Sequence, residues 1–101
     1  MVNKIEVHIK NSIKDMDVFI DCNTLEVKSN GIMKRISRGT VIKFLSFTKQ
    51  WKEEYIDEAS EDKEEYEIIL YSDDNSKQVY KAKGSYPKNY KGFKAFLTDI
   101  R

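Results

Sequence analysis

Cysteine occurs once in this chain, at Cys22, and histidine once, at His8. A lone cysteine closes no disulfide within the chain and builds no tetrahedral site from several thiolates. With one histidine, a histidine-rich zinc site is closed as well. The glycines Gly31, Gly39, Gly84 and Gly92 stand apart, whereas phosphate-cradling loops gather several glycines ahead of a helix. Arginine, the side chain best suited to reading guanine edges, is limited to Arg35, Arg38 and Arg101. No stretch approaches the roughly 18 consecutive apolar residues of a membrane-spanning helix. The residues from Met1 to His8 alternate polar and apolar and do not resemble a signal peptide. The expectation is a soluble, cytoplasmic protein with no cofactor, no metal and no membrane partner.

What is present is ordinary in size and unusual in charge. At 101 residues the chain matches one domain, 1–101, large enough to bury a core without covalent staples. Lysine outnumbers arginine fifteen to three, and Ile, Asn and Tyr are plentiful. That is the bias of an AT-rich, bacterial or phage-like genome, compatible with carriage on a mobile element, and it weakens any reading of each lysine as chosen for binding. Net charge is +1, but residues 1–50 carry +4, residues 51–76 carry −9 and residues 77–101 carry +6. An acidic centre between basic ends is the most distinctive global feature.

The first half reads as strands. Ile5, Val7 and Ile9 alternate with Lys4, Glu6 and His8, the period of a half-buried strand. Met16, Val18, Ile20 and Cys22 repeat the pattern. Asn23-Thr24 turns the chain, and Asn30-Gly31 is a strong type I′ hairpin signal that sets Glu26 opposite Arg35. Residues 40–56 change period: Val41, Phe44, Leu45, Thr48, Trp51 and Tyr55 share one side of a helical wheel, with Thr40 as N-cap. Tyr66, Ile68 and Leu70 begin a later hairpin whose turn is residues 72–76. A closing helix is expected to start at Pro87, with Tyr90, Phe93, Phe96, Leu97 and Ile100 on its apolar face. The expected fold is α+β: an antiparallel β-sheet, formed by an N-terminal strand meander plus a later hairpin, with two amphipathic helices packed on one face.

Candidate chemistry is sparse. Strand parity places Cys22 toward the core and His8 toward solvent, which argues against a catalytic dyad. Asp15, Asp17 and Asp21 fail the calcium-loop pattern because Ile20 stands where a glycine is needed. Ser37-Arg38-Gly39-Thr40 leads into a helix N-terminus, a common and weakly specific anion rest. The segment from Glu53 to Glu67 holds nine carboxylates and one lysine. It is the first choice for a contact with a basic protein surface, carried by Glu53, Glu54, Asp57, Glu58, Glu61, Asp62, Glu64 and Glu65. The second choice is a nucleic-acid-binding accessory role for the basic closing helix, through Lys88, Lys91 and Lys94, with Tyr80, Tyr86 and Tyr90 as stacking platforms. No enzymatic constellation is evident, so a non-catalytic intracellular domain working through protein contact is the expected function.

Overall fold

A computed structural model describes residues 1–101. The elements are β1 (Val2–Lys10), β2 (Asp15–Asp21), β3 (Glu26–Ser29), β4 (Ile32–Arg35), α1 (Arg38–Thr48), β5 (Glu54–Ile56), β6 (Glu65–Ser72), β7 (Lys77–Lys83) and α2 (Tyr90–Ile100). The seven strands form one sheet in the order β4-β3-β2-β1-β6-β7-β5. The class is α+β.

Alternation in the sequence becomes the two faces of this sheet. Ile5 lies opposite Ile20 and Leu70, Val7 opposite Val18 and Ile68, and Ile9 opposite Met16 and Tyr66. Residues directly opposite share a face, so one face is apolar across these three strands, continuing to Val27 on β3 and Ala82 on β7. These positions, with Met16 only partly buried against them, join Val41, Phe44, Trp51, Tyr90, Phe93, Phe96 and Leu97 in a single buried cluster. Phe44 of α1 meets Phe93 of α2 edge-to-face, ring centroids 5.2 Å apart, and Tyr66 of β6 meets Tyr90 of α2 at 5.3 Å.

The meander follows the expected register. Asn30 and Gly31 take φ of 54° and 75°, the left-handed pair a type I′ turn requires, and Glu26 does lie opposite Arg35. At the β2–β3 turn, the Asp21 carboxylate accepts hydrogen bonds from the backbone N–H of Asn23 and Thr24. Those bonds hold the Asp21 carboxyl below its ordinary range.

Three expectations need correction. The sheet is mixed, not purely antiparallel, because β5 pairs parallel with β7. The stretch 40–56 is not one helix: α1 ends at Thr48, and Glu54–Ile56 becomes the edge strand β5. The driving interaction is the open edge of β7. Lys81 N–H donates to the Glu53 carbonyl at 2.8 Å, and Asp57 N–H donates to the Lys83 carbonyl at 2.9 Å. A continued helix would leave those β7 groups unpaired. Trp51 is buried as the wheel required, but from beyond the helix, where its ring stacks on Tyr66. The N-cap of α1 is Ser37, not Thr40, its Oγ accepting from the Thr40 N–H at 3.1 Å.

The closing helix starts at Tyr90, with Pro87 buried in the turn before it. Asn89 holds the N-cap position without capping. Its side chain accepts from the Trp51 indole N–H at 2.6 Å and donates to the Phe47 carbonyl at 3.0 Å, tying the end of α1 to the start of α2.

Phe44 has no exposed surface, while Ile42 on the same helix is 62% exposed. Phe44→Ala is expected to cost about 3–5 kcal/mol in urea unfolding, and Ile42→Ala no more than about 0.5 kcal/mol. Equal costs at the two positions would contradict the assigned inner face of α1.

Candidate contact surface

The acidic segment divides into two environments. Glu53, Glu54, Asp57, Glu58, Glu61 and Asp62 are exposed, Glu53 just ahead of β5 and the others on β5 and the loop that follows it. None of the six enters a salt bridge: the ion pairs of the molecule are His8 with Glu6 and Asp17, Lys81 with Glu67, and Lys94 with Glu64. Their local bonds are to neutral groups. Asp57 accepts from Ala59 N–H, Asp62 from Glu64 N–H, and Glu53 from the Gln78 amide. The Asx-type bonds of Asp57 and Asp62 set the loop's path without neutralising its charge. The loop also presses on Gly84, whose φ is +77°. A Cβ there would clash with the Asp57 carbonyl oxygen, so only glycine lets the chain pass.

Glu64 and Glu65 belong elsewhere. Glu65 begins β6, half-buried and opposite Lys10 and Lys83. Glu64 turns inward with 12% of its side chain exposed. The Lys94 ammonium donates to both its oxygens at 2.9 and 3.0 Å, the Tyr90 hydroxyl donates at 2.7 Å and the Asn11 amide at 3.2 Å. Burial alone would push the Glu64 carboxyl up, but the bonds from Lys94, Tyr90 and Asn11, with the Lys94 charge, hold it below the usual range. Tyr90 responds in the opposite sense: burial, then its bond to Glu64 and the nearby carboxylate charge, raise its hydroxyl far above the ordinary value. Glu64 thus clamps α2 and the β1–β2 turn to the start of β6.

That clamp alters the basic candidates. Of the three lysines, Lys88 and Lys91 are exposed, Lys88 in the turn ahead of α2, whereas Lys94 is engaged by Glu64. Tyr90 is buried, and Tyr86 stacks against it at 4.8 Å with its hydroxyl donating to the Glu64 carbonyl. These rings pack internally, so the expectation of them as free stacking platforms is corrected. Lys94 also sits over the Tyr90 ring.

The remaining candidates separate as strand parity requires. Cys22 is buried in the core, where desolvation raises its thiol above the ordinary value. His8 lies on the other face, its Nδ1 2.6 Å from the Asp17 carboxylate. Sequence reasoning missed this His8–Asp17 pair, although alternation had put both on the polar side. The signal was the register, which sets His8 opposite Asp17 on one flank and Glu67 on the other. Around them a shallow concavity of about 600 Å³ crosses the outer sheet face, between Lys10, Asp15, Glu67 and Lys81.

No protein-family model matches this chain, and neither curated proteins nor solved structures yield a match.

Glu64 sets a pH dependence. Its carboxyl is depressed on folding, so its contribution is complete above the ordinary glutamate range near ~4.3 and is lost as pH falls below it. Glu64→Gln is expected to cost about 1–2 kcal/mol at neutral pH and to flatten the acid limb of the stability curve. Chemical unfolding of both proteins across the acid range checks this. An unchanged acid limb would remove Glu64 from this role.

Proposed function

We propose that this domain is non-catalytic and works through protein–protein contact, docking a basic partner surface onto the edge formed by β5 and the loop after it. The observation that carries the reading is the set of six exposed carboxylates, Glu53, Glu54, Asp57, Glu58, Glu61 and Asp62, with no cation of the chain paired to any of them. Packing six unpaired like charges along one edge opposes folding through self-repulsion. A basic partner relieves that repulsion. Beside them Ile56 is 52% exposed, an apolar anchor within a charged rim.

Both helices lie over the apolar face in this reading, leaving the outer face and the two sheet edges open. The reading also draws on what the other candidates lack. Cys22 is sealed in the core and His8 stands on the opposite face, so this thiol and this imidazole are not brought together as nucleophile and base. The nucleic-acid reading ranks second because Lys94 spends its charge on Glu64, leaving Lys88 and Lys91 as the exposed cations of the trio. No helix is long and apolar enough to cross a membrane.

The test compares the wild-type chain with a variant carrying Glu54→Gln, Asp57→Asn, Glu58→Gln and Glu61→Gln. Partners captured by wild type from nuclease-treated source lysate are identified, purified and measured by surface plasmon resonance. The neutralised edge is expected to slow association about tenfold or more at low salt, with the difference shrinking as salt shortens the screening length to about 8–10 Å. Association indifferent to both substitution and ionic strength would remove the acidic edge as the contact.

A further inference from the structure

The two edges of the sheet are complementary to each other. At one end stands β4, with all four residues exposed and Met33 57% so. At the other stands β5, with Glu54 and Ile56 exposed. Neither strand has a neighbour on its outer side, so each presents unpaired backbone groups, the usual template for strand addition.

The backbone groups that face outward can be named. Ile36 N–H donates to the Leu25 carbonyl at 2.9 Å, so alternation turns Ile32 and Lys34 toward β3 and leaves Met33 and Arg35 facing outward. On β5, the Glu53 carbonyl and the Asp57 N–H bond to β7, which turns Tyr55 inward and leaves Glu54 and Ile56 facing outward. The side chains of these four residues share one face of the sheet. Cross-strand register carries Arg35 through Glu26 and Asp21 to Lys4, and Met33 through Lys28 and Phe19 to Glu6. It carries Glu54 through Lys81 and Glu67 to His8, and Ile56 through Lys83 and Glu65 to Lys10. Lys4, Glu6, His8 and Lys10 are alternate residues of β1, hence one face.

Strand direction agrees as well. From β4 to β7 every neighbouring pair is antiparallel, and β5 runs parallel to β7, so β4 and β5 point in opposite directions. A second copy placed beside the first in the same orientation therefore offers its β5 antiparallel to β4. In that pairing Arg35 falls opposite Glu54 of the second copy and Met33 opposite its Ile56, with all four outward backbone sets in register. One contact is an ion pair and the other apolar, both favoured cross-strand combinations. Within one chain neither Arg35 nor Glu54 enters a salt bridge.

We infer that the chain self-associates head to tail, the β4 edge of one copy receiving the β5 edge of the next as a continued antiparallel sheet. The inference rests on the acidic edge being a contact surface and names its partner: a second copy of this chain. Like edges are disfavoured, since β4 against β4 sets Lys34 opposite Lys34, and β5 against β5 sets Glu53 opposite Asp57. Because the two edges are different surfaces related by a shift along the sheet and its twist, the contact does not close as a two-fold dimer. Two short edges make a small interface, so association is weak and grows with concentration.

Sedimentation velocity on the purified chain over a rising concentration series tests this. The weight-average mass is expected to climb beyond that of two chains and to fall back as salt is added. Arg35→Glu alone and Glu54→Lys alone should each hold the chain as a monomer. Mixing the two variants, or joining R35E and E54K in one chain, should restore association by swapping the charges. Circular dichroism confirms that each variant is folded, and E54K stands as an independent test should R35E unfold opposite Glu26. A wild-type chain monomeric throughout, a species that stops at two copies, E54K assembling like wild type, or no restoration in the mixture would each overturn the inference. Purified protein alone is measured, so this failure is distinct from loss of a foreign basic partner on neutralising the acidic edge.

Discussion

The segregation of one sheet face from water is the constraint on which the rest of this molecule depends. β1 and β6, at the centre, put Ile5, Val7, Ile9 and Ile68 almost wholly out of solvent. Each such side chain contributes roughly 1.5–3 kcal/mol by leaving water, and the contribution requires a cover. Aromatic rings join the same buried cluster: Phe44 of α1 and Phe93 of α2 have no exposed surface, with Phe47, Phe96 and Trp51 packed against them. The outer face is rich in charge, with Phe19, Ile69, Val79, Met33 and Ile56 set among the charged residues. Asp17, His8, Glu67, Lys81 and Glu54 form one cross-strand row.

A seven-stranded sheet open at both ends must also deal with its edges. Here β4 and β5 are very short and charged, the ordinary protections against indiscriminate strand pairing. The signs differ between the two ends, so the protection is selective: each edge repels its own kind and admits the other. Glu64 contributes to this division by its absence from the acidic edge. Drawn inward to Lys94 and Tyr90, it locks α2 and the β1–β2 turn in place. Its neighbours Glu61 and Asp62 stay in solvent.

The parts legible from sequence were those governed by short-range rules. Alternation located β1, β2 and β6, the Asn30-Gly31 pair fixed a hairpin and its register, and parity separated Cys22 from His8. The parts that were not legible required a distant partner. Nothing local to Glu54–Ile56 announces a strand; the open edge of β7, more than twenty residues later, makes it one. Trp51 sat on the apolar side of the helical wheel because it is buried, yet its burial comes from a turn packed on Tyr66. Glu64 read as one of nine carboxylates offered to a basic partner, and only the fold brings Lys94 to it. Asn89 passes over its capping role because Trp51 and Phe47 compete for its side chain.

Residue-resolved amide hydrogen exchange, followed by NMR on dilute and then concentrated protein, tests the open, complementary edges most directly. In the dilute chain the amides of Met33, Arg35, Glu54 and Ile56 should exchange rapidly, while those of Lys34 and Tyr55, bonded inward to β3 and β7, should be slow. At high concentration the four outward amides should become protected together. Outward amides already slow in dilute protein, or four that stay fast while the mass of the species rises, would contradict this picture of the edges.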